Sequence, residues 1–195
     1  ASLLTLRRGL RQRGLVEVPR SAKLCQLIEG WGGGVEVQGD DPVLVFDDGL
    51  GGFLPLSQAD LACDPLSFAG AGIAPSPASL MVMAAGVCVV KQTRRALYRH
   101  WQLAEGLAPA VRGLLARAAR ITTEITLGRG DAGHLSALDD LALELSTQGL
   151  AAAWPLGSSL RHFRAQWEQH VRRESCPESL CLDLPNHTAP CQSTC

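Results

Sequence analysis

Aromatic side chains are scarce in this 195-residue sequence, which has one Tyr, four Trp and four Phe. A stacking platform for nucleic acid needs several such rings beside cations, and no segment supplies them. Net charge is missing too. Eighteen Lys and Arg stand against 19 Asp and Glu, a formal balance of −1. The chain as a whole therefore has no strong pull toward nucleic acid or an anionic membrane. The longest apolar run, Ala78 to Val90, falls short of the roughly 20 residues that span a bilayer. No direct membrane insertion is expected. No basic start, apolar run and cleavage site open the chain, so the expected location is cytoplasmic. No G-x-S-x-G elbow holds a serine. The five histidines, His100, His134, His162, His170 and His187, are dispersed, and none pairs four apart around a carboxylate as zinc proteases require. Hydrolase chemistry has no support.

What is present is a chain able to bury a core, with 46% hydrophobic and 19% charged residues. Its charge is unevenly spread. Asp and Glu crowd the first third, from Glu36 to Asp64, and arginines dominate the middle, from Arg94 to Arg129. Such a split points to two domains more than to a ligand. The basic stretch "QTRRALYRHWQLAEGLAP", Gln92 to Pro109, holds the only Tyr and three Arg. It reads as a helix with an apolar inner stripe and an Arg-rich outer face.

Residues 1–90 read as strands and turns. Leu3–Leu6, Leu15–Val18, Val43–Phe46, Leu80–Met83 and Val87–Val90 are strand candidates, and Ser21 is placed to cap a short helix carrying Leu24, Leu27 and Ile28. The order suggests a β-grasp-like α+β unit. "DDGLGGFLP", Asp47 to Pro55, reads as a turn, because no helix start follows its glycines to cradle a phosphate. From Lys91 the period becomes helical. Leu97, Trp101 and Ala104 mark one helix, Pro109 opens a second, and Asp131 caps a third. "WPLGSS" separates a fourth, capped by Ser158 or Ser159 and striped by Leu160, Phe163, Trp167 and Val171. Short links imply an antiparallel four-helix bundle over residues 91–173. A Cys-rich tail, residues 174–195, follows without periodicity.

Seven cysteines are present. Cys25, Cys63 and Cys88 lie in apolar surroundings and read as small core residues. The tail carries Cys176-x4-Cys181-x9-Cys191-x3-Cys195, the one chemical constellation in the chain. Thiolates this close can wrap an iron–sulfur cluster or Zn²⁺. The spacing matches no common ferredoxin run, and a tail of free or oxidised thiols is the competing reading.

The segments "GLVEVPRSAKLCQLIEGWGGG", "GLGGFLPLSQADLACDPLSFAGAG" and "LMVM", in that order, resemble the soluble-ligand-binding β-grasp domain in the NADH-binding flavoprotein subunit of complex I. The same domain occurs in related NAD-reducing hydrogenases and formate dehydrogenases. "AEG" at Ala104–Gly106, "AAAWP" at Ala151–Pro155 and "SLRHFRAQWEQHV" at Ser159–Val171 are similar to the helical bundle that follows there. The resemblance covers about Leu3 to Val171. It implies a [4Fe–4S] cluster in the bundle, held by a C-x-x-C-x-x-C-R-E-G run and a fourth cysteine. The corresponding positions here are Leu97, His100, Leu103 and Ser146. Leucine cannot ligate iron, so that cluster is expected to be absent, with Leu97 and Leu103 filling its space and His100 a polar remnant. "HTAPCQSTC" resembles the start of the cysteine-rich segment in flavoproteins similar to the small subunit of glutamate synthase, where iron–sulfur clusters are bound.

The resemblances imply a domain or fragment of an NADH-linked iron–sulfur flavoprotein oxidoreductase acting in electron transfer. In that reading the chain is a scaffold and docking surface for other domains or subunits of a redox complex. Any iron–sulfur cluster would sit on Cys176, Cys181, Cys191 and Cys195, and FMN and NAD would belong to missing or partner segments. The chain alone is not expected to be catalytic or to bind nucleic acid. The alternative is a cofactor-free interaction module tethering redox partners. The start at Ala1 and the end on a cysteine in mid-motif lead us to expect a piece of something longer.

Overall fold

The computed structural model describes residues 1–181. It is an α+β structure with a five-stranded mixed sheet. The strands are β1 (Ser2–Leu6), β2 (Gly14–Val18), β3 (Val43–Phe46), β4 (Gly52–Pro55) and β5 (Ser79–Met83), in spatial order β2-β1-β5-β3-β4. β1 and β5 run parallel at the centre, and the other pairs are antiparallel. Helices α1 (Leu24–Gln26) and α2 (Pro65–Gly70) interrupt the strands. Five more follow: α3 (Val89–Leu103), α4 (Pro109–Thr126), α5 (Ala132–Thr147), α6 (Ala153–His162) and α7 (Arg164–Val171).

β3 reads Val-Leu-Val-Phe and is buried at all four positions, as a strand covered on both faces must be. Leu44 and Phe46 face a core with Leu24, Leu27, Ile28, Phe68 and Ile73. Val43 and Val45 share the opposite core with Phe53, Met81, Val87 and Val89, against which Phe163 packs. That second face joins the sheet to the helices. A third core, around Leu97, Leu115, Ile125, Leu138, Leu156 and Trp167, holds the helices to one another. Gly9 lets β1 and β5 meet beyond their paired residues. Its φ is +86°, and a Cβ there would fall 2.0 Å from the Val82 carbonyl oxygen, so only glycine fits.

Four local expectations change. The cap of α1 is Lys23, not Ser21, and its N–H donates to Gln26 Oε1 at 3.0 Å; a bridge to Ala62 keeps Lys23 extended and delays the helix. The second half of "DDGLGGFLP" is strand β4, paired along β3. Val87–Val90 is no strand, because Cys88 caps α3 and Val89 opens it; a fully buried apolar run shows no periodicity by which to tell the two. Ser158 and Ser159 lie inside α6 and donate to the Trp154 and Leu156 carbonyls. The break comes instead at Phe163 (φ −124°, ψ 30°), between α6 and α7.

Candidate metal centre

α3 begins at a cysteine. Cys88 has the extended backbone of a helix cap, and its Sγ accepts from the Lys91 N–H at 3.4 Å. The Lys91 N–H and the positive end of the helix work toward thiolate there, but Cys181 and burial outweigh them. At the other end of the helical region, α7 closes on His170, and the chain leaves through Arg173 in the left-handed region at φ 59°. The Glu174 N–H returns to the Gln169 carbonyl at 2.9 Å. This helix stop turns the chain back on itself and brings Cys176 and Cys181 beside His170. A tight turn, with the Ser179 N–H on the Cys176 carbonyl at 3.2 Å, lies between the two cysteines. Glu178 Oε2 accepts from the Cys88 N–H at 3.1 Å and ties that turn to the start of α3.

The outcome is a buried group of four donors. The side-chain ligand atoms of Cys88, His170, Cys176 and Cys181 all lie within 4.8 Å of one another. Cys88 Sγ is 3.8 Å from Cys181 Sγ and 3.4 Å from His170 Nε2. Zn–S bonds of about 2.3 Å and a Zn–N bond of about 2.0–2.1 Å put tetrahedral S···S at about 3.8 Å and S···N at about 3.6 Å. The donor spacing therefore fits one tetrahedral ion. The His170 ring is set for it as well. Nδ1 donates to the Gln166 carbonyl at 2.7 Å, which fixes the ring so that Nε2 is the nitrogen turned toward the sulfurs. Metal-ligating histidines are oriented in this way.

The protons of the group are unevenly held. The Cys181 thiol is pushed well below its ordinary value, chiefly by its hydrogen bond with Cys88 and further by His170. Cys88 is pushed up by the same hydrogen bond and by burial. One thiolate is thus already favoured at neutral pH, and a cation would have to displace the remaining thiol protons.

Of the tail cysteines named from sequence, Cys176 and Cys181 join this group, whereas Cys191 and Cys195 lie outside the described residues. Two donors escape a reading of the sequence. Cys88 is buried, but it belongs to the donor group and is more than filler among apolar residues. His170 looks isolated along the chain because its partner at the start of α3 is 82 residues away. The legible signal is the run His170-x5-Cys176-x4-Cys181, which places three donors within one helix end and one turn.

The other histidines among the described residues, His100, His134 and His162, make local contacts away from this group. His134 sits on its own helix cap, with Nδ1 2.8 Å from Asp131 Oδ1. His162 Nε2 donates to the Ala71 carbonyl at 2.8 Å. The four positions that the resemblance matches to cluster ligands differ in burial, and Leu103 and Ser146 are exposed. Leu97 is fully buried, but Leu103 is 73% exposed and fills no cavity, contrary to expectation. His100 is half-buried, with Nε2 3.3 Å from the Leu50 carbonyl oxygen.

No family profile matches the chain. In sequence it is 27% identical over 175 residues to an NADH-quinone oxidoreductase subunit of Rhizobium meliloti (strain 1021), covering 86% of this chain and 41% of that protein. In fold it is similar to the NAD+-reducing [NiFe]-hydrogenase. The TM-score is 0.70 for the H2-reduced state and 0.68 for the air-oxidized state, at 19% and 20% identity. Each match covers 87% of this chain and 29% or 30% of the hydrogenase chain. The chain thus spans about two fifths of the curated relative and less than a third of the solved ones. The resemblance to the NADH-binding flavoprotein subunit of complex I and to NAD-reducing hydrogenases is present in sequence with the first and in fold with the second.

Proposed function

We propose that this chain is a segment of an NADH-linked oxidoreductase, in which it serves as a metal-braced scaffold between redox partners. The observation that carries the reading is the closed Cys88, His170, Cys176, Cys181 donor group. Three cysteines and one histidine with no open position are a structural zinc set. A cubane cluster places each ligand on a different iron and spreads its donors wider than the 3.8 Å and 3.4 Å separations here. A cluster on Cys176, Cys181, Cys191 and Cys195 would have to pull its first two ligands out of the buried group. With Zn²⁺ bound, the group supplies cross-linking, because one ion joins the start of α3, the end of α7 and the tail.

The domain reading is ours as well. The strand order β2-β1-β5-β3-β4 with parallel central strands supports a β-grasp unit over residues 1–90. α3, α4, α5 and the broken rod α6–α7 support a four-helix bundle over residues 91–173, followed by the tail. The bundle lacks the cysteines by which relatives would hold a cluster, so electrons pass through partner subunits or segments, where FMN and NAD also belong. This chain fixes their relative positions.

Metal and sulfide analysis of the purified chain tests the reading. We expect one zinc per chain, no acid-labile sulfide, no visible absorbance and no NADH oxidation. Cys88→Ala and His170→Ala should each release the metal. Stoichiometric iron and sulfide, with a visible band lost on Cys191→Ser, would overturn the zinc assignment. NADH turnover by the chain alone would overturn the scaffold role.

A further inference from the structure

The basic stretch at the start of α3 has no part in the metal centre. It opens onto a cavity of about 560 Å³ whose walls include Arg8, Arg94, Arg95, Tyr98, Arg99 and Thr123. The size falls within the range of small-molecule sites. Asp48 also lines it, but that carboxylate is held by Arg7 at 2.6 Å. Arg94 is braced by donating to Thr126 Oγ1 at 2.9 Å. Among the described residues the Arg8 side chain meets only the Met81 sulfur, at 3.4 Å. Arg95 and Arg99 are exposed and have neither a hydrogen bond nor an acidic partner among the described residues.

Four guanidinium groups around one concavity repel one another, in a chain whose total charge is near zero. A cleft lined by one sign of charge concentrates ions of the other. Guanidinium forks match phosphate oxygens two at a time. Residues 94, 95, 98 and 99 share one side of α3 by their helical spacing, so the half-exposed Tyr98 ring stands among the cations. We propose that this cavity binds a nucleotide-sized organic polyphosphate, with its phosphates on Arg8, Arg95 and Arg99 and its planar ring against Tyr98.

Calorimetric titration of the intact chain with ADP and with inorganic pyrophosphate tests this. Both should bind, ADP more tightly. The double variant Arg95→Glu, Arg99→Glu should weaken both by at least about tenfold, since one charge-assisted hydrogen bond alone accounts for about that factor. Tyr98→Ala should weaken ADP only. Arg117→Glu reverses one arginine charge on the exposed side of α4, outside the cavity, and should leave both unchanged. The altered residues are exposed, and an unchanged denaturation midpoint will verify folding. Absence of binding overturns the proposal. So does equal weakening by Arg117→Glu, equal competition by sulfate at matched ionic strength, or ADP binding indifferent to Tyr98→Ala.

Discussion

His170 Nε2 lies 3.4 Å from the Sγ of Cys88, a residue 82 positions earlier. One residue organises both. The Gln166 carbonyl accepts from His170 Nδ1 at 2.7 Å, its Oε1 accepts from the Val89 N–H at 2.9 Å, and its Nε2 donates to the Val87 carbonyl at 3.2 Å. Gln166 thus holds the backbone on either side of Cys88 while its own backbone orients the imidazole. Gln166→Ala keeps the carbonyl and loses the two side-chain bonds. It should weaken zinc binding about 10- to 100-fold, the usual cost of removing a residue that positions a ligand. Competition with a chromophoric chelator measures this, and an unchanged affinity would show that Cys88 needs no such support.

How far the sequence reveals this centre depends on chain separation. His170, Cys176 and Cys181 are close in sequence, and the two cysteines are legible as ligands from their clustering. Cys88 is not, because the buried run Val87–Val90 carries no periodicity and a helix cap there looks like the middle of a strand. The fold follows the same division. Short apolar runs bounded by turn residues mark β1, β2, β3 and β5, and Pro109 and Asp131 mark the starts of α4 and α5. β4 is hidden behind the glycines of a turn, and the break at Phe163 is masked by "WPLGSS", whose Pro155 and Gly157 resemble a linker. Pro155 sits in the first turn of α6, where its missing N–H costs nothing.

The tightest polar link between sheet and helices is Ser158. Its Oγ accepts from the Phe53 N–H at 2.9 Å and donates to the Trp154 carbonyl at 2.7 Å. Ser158→Ala would leave the buried Phe53 N–H without a partner, at a cost of about 1–3 kcal/mol. Gly52→Ala should be worse. Its φ is +109°, and the new Cβ would sit 2.8 Å from Ser158 Oγ. Urea unfolding followed by Trp fluorescence should give this order, and equal midpoints for the two variants would refute the close approach of β4 to α6.

His100 makes stability depend on pH. Burial pushes its pKa below the ordinary histidine value, with Arg99 adding to the effect and the Leu50 carbonyl opposing it. The folded state therefore prefers the neutral ring. This contribution is fully present above the unfolded histidine pKa of about 6.5 and is lost as pH falls through that value toward the lower folded one. The urea midpoint should drop between about pH 7.5 and 5.5, and His100→Gln should flatten that part of the profile. An identical slope in the variant would place the dependence on other groups.

Replacing Leu97, His100, Leu103 and Ser146 by cysteine places thiols at the four positions matched to the relatives' cluster ligands. The variant should still assemble no cluster. All three positions on α3 lie within one unbroken helix, where residues three apart step about 60° around the axis and the set fans over about 120°. Burial follows that fan, with Leu97 fully enclosed, His100 half-buried and Leu103 73% exposed. A cubane needs its thiolates to converge on one point, which would require the last turns of α3 to unwind. Anaerobic reconstitution followed by sulfide analysis and visible spectroscopy decides the matter. A stoichiometric cluster would mean that α3 unwinds there at little cost and that only the ligands have been lost.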